Sequence, residues 1–435
     1  MKNRSLIIIL ILILVLILVG AAYWYLFFRT TPNQVTVAPG NQTTQTGFQP
    51  LNRNVPSQTP LGNASSTNST TGSNTSATAV NTPTLRQLSI TPVGGFGLNT
   101  SVPLKNTQTG STTFRWVDRG TGATYEAYGD KPDIVALSST QVPRIYQSWW
   151  NKGLNSFFAQ YGSATNDTVT TVIANIIKNS SSNSTTTATG ASYDLKGSLI
   201  SGNVIGIAVS PQKDRVVIVM NQNNKAVGYI SKFDGTSQTQ LFSIPLTQIN
   251  VDWPETNTIA ITTKASASYS GYLYLINAKT GVMKQVLGGI AGLSAKVSRN
   301  ATKILYSSTG RGNTAIDTAI LDLKTGKTTD VIFKTLAEKC VWSAKFVEDV
   351  YCAVPSQIPA GTYPDDWYLG NASFNDSIWL LDTKINNANQ VANLLTIGNA
   401  LIDVYNPQLD DTDNYLLFMN KNDLSLWSLD LISSQ

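Results

Sequence analysis

Beyond residue 200 the chain is built of short apolar runs separated by polar turns, and the order of runs and turns recurs. Val204 to Pro211 leads to Val216 to Val219, then Gly228-Tyr229-Ile230 and, after Asp234-Gly235, Gln240-Leu241-Phe242. About 44 residues on, Ile249 to Pro254 leads to Thr258 to Ile261, Tyr272 to Ile276 and Lys284 to Leu287. A further step of the same length brings Leu293 to Arg299, Lys303 to Tyr306, Ala319 to Leu323 and Asp330 to Ile332. A fourth copy opens near Cys340 and carries an insertion; a fifth opens near Ile402 and stops after Trp427 to Leu431. Four strands in every 40–45 residues or so is the spacing of propeller blades. Lys279-Thr280-Gly281 and Lys324-Thr325-Gly326 fit the tight turn between third and fourth strands, where glycine supplies a positive φ. Alternate apolar residues of each strand are then expected to face the two neighbouring blades. A stack of unrelated sandwiches is the competing reading.

Earlier in the chain the copies are less regular. Phe114 to Val117, Thr124 to Tyr128 and Ile134 to Leu137 suit one blade. Arg144 to Tyr161 and Thr168 to Ile177 suit another, interrupted by a Ser/Thr-rich stretch at 180–190, and Trp149 and Trp150 there fit core and rim packing. Leu85 to Ile90 is a strand without a blade, while the last copy lacks a fourth strand. Pairing the two would close the ring and remove an open edge. The expected fold is therefore all-β, a seven-bladed β-propeller over residues 85–435; six or eight blades also fit the count.

Two segments precede it. Leu6 to Phe28 is uncharged, with Lys2 and Arg4 before it and Tyr23, Trp24, Tyr25, Phe27 and Phe28 gathered at its far end. That length suits a spanning helix, and the flanks place a basic N-terminus in the cytoplasm and an aromatic belt at the opposite interface. Residues 1–29 are thus expected to be a signal anchor in the lipid bilayer, holding everything after Arg29 outside the cytoplasm, at the cell surface or in the periplasm. Gly20-Ala21-Ala22 resembles a cleavage site, so a removed signal peptide is the alternative; both export the domain. Residues 30–84 are rich in Ser, Thr, Asn, Gln and Pro, with Arg53 the sole charge. Such a stretch buries too little apolar surface to offset its ordering entropy, and it reads as a disordered linker spanning roughly 40 Å as a coil.

Composition narrows the chemistry. Charged residues make up 13%, and the net charge of +5 is largely accounted for by Lys2, Arg4 and Arg29 around the apolar run. No basic cluster appears, which argues against a nucleic-acid partner. The chain has 0 histidines, which removes Ser-His-Asp and Cys-His nucleophile systems and His-ligated zinc. Its 2 cysteines, Cys340 and Cys352, are too few for a Cys₄ metal site. They flank a turn near Phe346 at similar distances, so an antiparallel hairpin would set them opposite each other and an exported domain would oxidise them. Two buried free thiols are the alternative. No cofactor is expected.

The insertion from Pro355 to Asp376 carries the best candidate ligand site: Tyr363, Asp365, Asp366, Trp367 and Tyr368, then Phe374 and Asp376. Aromatic faces beside carboxylates suit sugar or peptide recognition, and long loops commonly carry function. Packing over the propeller rim is the competing reading. Asp410, Asp411 and Asp413 fall in one turn; calcium could use their oxygens, but the EF-hand spacing is missing and a solvated polar turn is expected.

At Val209-Ser210-Pro211, and at Asn406-Pro407 followed by Tyr415 to Phe418, the blades resemble those of TolB-type and WD-like propellers. The resemblance covers residues 200–431 well and 85–200 loosely, and the usual Ser-Pro-Asp-Gly turns are replaced. It implies architecture and no particular partner. The functional expectation is a non-catalytic binding module that meets a protein or glycan of the envelope or exterior through one propeller face. A glycan-active enzyme using paired carboxylates, which need no histidine, is the alternative; a scaffold for an envelope complex is a third.

Overall fold

The computed structural model describes residues 84–100, 112–138, 142, 144–162, 169–178, 193–310 and 316–432. The expected membrane span Leu6–Phe28, the linker up to Pro83 and the Ser/Thr-rich stretch at 180–190 lie outside these residues. Among the described residues, no helix is long and apolar enough to cross a membrane.

Almost every described element is a strand. Five four-stranded sheets and one eight-stranded sheet follow one another along the chain in a propeller-like arrangement. The eight-stranded sheet consists of two antiparallel meanders. Meander I is β2 (Val93–Thr100), β3 (Thr112–Asp118), β4 (Thr124–Tyr128) and β5 (Lys131–Ser138). Meander II is β6 (Ile145–Trp150), β7 (Ser156–Gly162), β8 (Val169–Lys178) and β9 (Tyr193–Ile200). They are joined at their outer strands by a parallel bridge between Ser138 and Tyr193. Meander III holds β10 (Val204–Val209), β11 (Arg215–Gln222), β12 (Lys225–Lys232) and β13 (Thr239–Ile244). Meander IV holds β14 (Ile249–Glu255), β15 (Thr258–Thr263), β16 (Ser270–Asn277) and β17 (Met283–Ala291). Meander V holds β18 (Ser294–Val297), β19 (Lys303–Thr309), β20 (Ile316–Asp322) and β21 (Thr328–Asp330). Meander VI holds β22 (Cys340–Trp342), β23 (Asp349–Pro355), β24 (Asp376–Asp382) and β25 (Asn387–Asn393). The last, VII, takes β26 (Val404–Leu409), β27 (Tyr415–Asn420) and β28 (Leu426–Asp430) from the end of the chain and β1 (Thr84–Ser89) from the start.

The second strand of a meander is buried on both faces, and β11 shows why its sequence is apolar without a break. Val217 and Val219 point into the cluster shared with meander IV, whereas Val216, Ile218 and Met220 point into the one shared with meander II. In β27 the same alternation sends Leu416 and Phe418 toward VI and Leu417 and Met419 toward I. Successive residues of a strand face opposite sides, so each sheet is glued to two neighbours by one run. Such clusters link I to II, II to III and so on through VI to VII, and a further one joins VII back to I.

The turns repeat as regularly as the strands. At the end of the first strand a buried hydroxyl or carboxylate accepts two backbone N–H groups of the turn. Ser210 Oγ receives Asp214 N and Arg215 N, Ser298 Oγ receives Thr302 N and Lys303 N, and Asp410 Oδ1 receives Asn414 N and Tyr415 N. Asp410 and Asp413 are therefore buried and not solvated as the sequence implied; Asp411 alone of the three is exposed. Asp410 Oδ2 also accepts Thr100 and Thr112 of meander I, each at 3.1 Å. Asp413 accepts Ser343 Oγ and Ala344 N of meander VI. Between third and fourth strands, Asn277 and Asp322 cap their turns through side-chain oxygens, and Gly281 and Gly326 sit at φ 72° and 71° as expected.

Closure follows the anticipated route. β1 pairs antiparallel with β28, Thr84 opposite Asp430 and Leu85 opposite Leu429. Arg86 then reaches across to meander I, its guanidinium donating to the carbonyls of Tyr128, Lys131 and Pro132. The first strand of meander I, β2, was not anticipated. Its Gly94 and Gly97 face Ile145 and Trp150 so closely that a Cβ would lie 2.6 Å from atoms of those residues. Glycine there permits the inner strands to approach, and it disguises the strand in the sequence.

Candidate functional site

Cys340 and Cys352 are directly opposed across β22 and β23 and form a disulfide. The insertion starts where this hairpin ends and runs from Ser356 to Asn375, between β23 and β24. It contains a short helix, α1 (Asp365–Leu369), ended by Gly370 in the left-handed conformation. Its aromatic residues form a small core of their own. Tyr363, Trp367 and Phe374 are buried together with Leu336 and Ile316, and the Tyr363 and Phe374 rings stack at 5.6 Å.

Beneath this cap lies a fully buried charge cluster. Lys339 Nζ forms ion pairs with Asp403 and, at 2.8 Å, with Asp376, and donates to Val404 O at 2.9 Å. Asp403 also accepts Trp367 Nε1 at 3.0 Å and Phe374 N at 3.1 Å. The ammonium lies 5.2 Å from the Trp367 ring and 5.0 Å from that of Phe374. Two carboxylates, one ammonium and two ring faces thus share a fully buried site, where each charge is tolerable only because it is paired. Burial pushes the Asp376 carboxyl up to about 6; Lys339 opposes the rise and Asp403 adds to it. Its Oδ1, with Asn375 Oδ1, has no hydrogen-bond partner among the described residues.

These contacts place each expected site residue. Tyr363, Trp367, Phe374 and Asp376 face inward and hold the cap down. Asp365 Oδ2 accepts Ala267 N of meander IV at 2.7 Å, tying the cap to the loop between β15 and β16. Asp366 accepts Thr362 N and Asn371 Nδ2, so its carboxylate organises the turn into α1. Tyr368 is half-exposed and donates to the Glu338 carboxylate; burial of its ring and the nearby Glu338 charge hold its pKa above the ordinary value. The three aspartates are each committed to a separate partner and do not converge. Lys339 and Asp403 were not anticipated: a lone lysine and an aspartate 64 residues later carry no local signal.

A second feature lies at the same end of the sheets, where first strands begin and second strands end. A cavity of about 730 Å³ opens between meanders I and II. Thr91, Pro92, Asp118, Arg119, Tyr125 and Tyr146 line it, with Arg144 and Gly162. Asp118 is buried and accepts three hydrogen bonds: Oδ2 accepts Thr91 Oγ1 at 2.6 Å, and Oδ1 accepts Thr121 N and Oγ1, both at 2.8 Å. Those bonds outweigh burial and hold its carboxyl below the usual value. Tyr125 stacks on Trp116 at 5.7 Å, and Tyr146 donates to Gln160 Oε1. The Arg119 charge is near enough to act on both the Tyr146 and the Tyr405 phenols.

No family model and no curated protein matches the chain. Solved structures similar to it include TolB from Acinetobacter baumannii, at 12% identity over 62% of this chain and 59% of that one, with a TM-score of 0.38. Oligogalacturonate lyase from Vibrio parahaemolyticus is similar at 11% identity over 81% of this chain and 98% of that one, TM-score 0.48. The β-propeller domain of the Trilobed protease from Pyrococcus furiosus follows at 12% identity, covering 60% and 72%, TM-score 0.38. At such identities the likeness is one of architecture.

Proposed function

We propose that this chain is a seven-bladed β-propeller, counting meanders I to VII as blades, that acts as a non-catalytic binding module. It is held outside the cytoplasm by a membrane anchor over Leu6–Phe28, and it contacts an envelope or extracellular protein or glycan through the face that carries the insertion. The observation that carries this reading is the committed state of the cap. Its acids and three of its aromatics are used internally, so its outer surface presents no converging carboxylates, and the one pair that does converge, Asp376 and Asp403, is buried on Lys339. On that surface Leu369 is 74% exposed and Tyr269, in the loop tied to Asp365, is 76% exposed. Exposed apolar side chains on a rigid support suit recognition. The disulfide favours export, since such bonds persist in oxidising compartments.

The test uses the full chain in native membranes, with a photo-crosslinking residue at Leu369 or at Val282, which lies in a turn at the opposite end. A discrete adduct from Leu369 and none from Val282 is expected. Equal labelling at both positions, or turnover of glycosides that disappears with Asp365→Asn or Asp376→Asn, overturns the proposal.

A further inference from the structure

The binding role makes no chemical use of Lys339, Asp376 and Asp403, yet the three meet in the arrangement that amide formation requires. Lys339 Nζ contacts Asp403 Oδ1 and lies 2.8 Å from Asp376 Oδ2, and Val404 O accepts from it at 2.9 Å and fixes its direction. All three side chains are fully buried, with the Trp367 and Phe374 rings 5.2 and 5.0 Å from the nitrogen. One ammonium answers two carboxylates, so these three groups carry a surplus negative charge unless one acid holds a proton. Asp376 is that acid. Burial raises its carboxyl to about 6, and its Oδ1 has no hydrogen-bond partner among the described residues. Asp403 supplies the complementary half. Its Oδ2 accepts Trp367 Nε1 at 3.0 Å and Phe374 N at 3.1 Å, two N–H donors on one oxygen while Oδ1 faces the amine. Donors placed in this way stabilise the oxyanion that forms when a nucleophile adds to a carboxyl carbon.

We infer that Lys339 and Asp403 condense to an intramolecular amide, with Asp376 relaying the protons. A proton first passes from the Lys339 ammonium to Asp403 Oδ1, giving a neutral amine and a neutral acid, a transfer that burial eases because it disfavours both charged forms. The Nζ lone pair adds to Asp403 Cγ, and Oδ2 takes the negative charge between Trp367 Nε1 and Phe374 N. Protonated Asp376 gives its proton to the departing Oδ1 hydroxyl, the Cγ–Oδ1 bond breaks and water leaves. Asp376 then recovers a proton from the nitrogen and ends as it began. The sum is ammonium plus carboxylate giving amide plus water, with no oxidant, reductant or cofactor. The product ties the residue before β22 to the residue before β26, joining meanders VI and VII beside the Cys340–Cys352 disulfide. It also replaces a buried cation and anion with one neutral group. The ion-paired cluster is the reactant, and the energetics of its paired charges apply to chain that has not condensed. The step does not depend on what the propeller binds.

The test is peptide mapping by mass spectrometry of the full chain purified in detergent, reduced and denatured before tryptic digestion. Lys339→Met and Asp376→Asn chains made in the same cells are mapped beside it. The parent is expected to yield a branched peptide joining the Lys339 and Asp403 segments, lighter than the two linear peptides together by one water, with cleavage after Lys339 lost. Asp376→Asn should keep the circular dichroism of the parent and give at least about tenfold less of the branch, since the proton relay is gone. Lys339→Met should show no loss of water at Asp403. The parent digest decides the bond itself even where a variant fails to fold. Linear peptides alone in the parent, or a branch there from Lys339 to any residue other than Asp403, overturns the inference. So does a loss of water at Asp403 that persists in Lys339→Met, which marks aspartate cyclisation, or an undiminished branch in folded Asp376→Asn. Crosslinking from Leu369 is independent of this bond, so the binding reading can stand where this one falls.

Discussion

Replacing Lys339 with methionine removes the single cation that two buried carboxylates share, while nearly preserving volume. Removing one member of a buried ion pair typically costs about 3–5 kcal/mol, because the opposite charge is left unpaired. With an unfolding entropy of about 2.1 cal/mol/K per residue over roughly 350 residues, that loss lowers the melting temperature by about 5 °C. Dependence on pH sharpens the test. The Asp376 carboxyl is raised from 3.8 to about 6 by burial, so the folded state holds its proton more tightly than the unfolded chain does. Its contribution is full below about pH 4 and is lost as pH rises through about 6. Without Lys339 the carboxyl rises further. Lys339→Met should therefore be most destabilising near pH 8 and roughly half as damaging near pH 5, where Asp376 takes up a proton. Adding Asp376→Asn should recover part of the loss at pH 8. Urea unfolding at the two pH values measures all three effects. A loss below about 1 kcal/mol, or one of the same size at both pH values, would show that the cluster does not carry the paired charges described.

The other predictions concern the ring and its staple. Reducing the Cys340–Cys352 bond should lower stability by about 3 kcal/mol, from the closure of a loop spanning 12 residues; an unchanged urea midpoint in reductant would refute this. Arg86→Ala leaves three carbonyls without their donor, and should cost about 1–2 kcal/mol and speed amide exchange in β1 and β28 ahead of other strands. Asp410→Ala strips acceptors from two backbone N–H groups and from Thr100 and Thr112. It should cost about 2–3 kcal/mol, and Asp410→Asn, which keeps an acceptor, should cost less.

The repeating parts of the fold were legible because they are local. A buried second strand needs apolar residues on both faces, and a tight turn needs its glycine; both conditions are written in consecutive residues, as in β11 and at Gly326. Closure of the ring was legible by elimination, since one strand and one incomplete sheet were left over. β2 was hidden because close packing against Ile145 and Trp150 demands glycine, which reads as a breaker. The site was legible only in outline. Tyr363 to Tyr368 were visible as an unusual insertion, but their direction depends on Lys339 and Asp403, which lie outside the insertion, just before the first strands of meanders VI and VII. The polar lining around Arg119 shares this origin: Thr91, Tyr125 and Tyr146 belong to three different strands and connections.

Because β1 is both the first described strand and the outermost strand of the sheet that closes on the end of the chain, anything upstream of Thr84 is attached at the weld. A pull on that upstream segment is delivered first to the β1–β28 ladder and the Arg86 clasp, and only afterwards to the remaining sheets. Tension would peel this strand away and leave a gap between the last sheet and the first. Mechanical load and opening of the circle are thus the same event in this architecture.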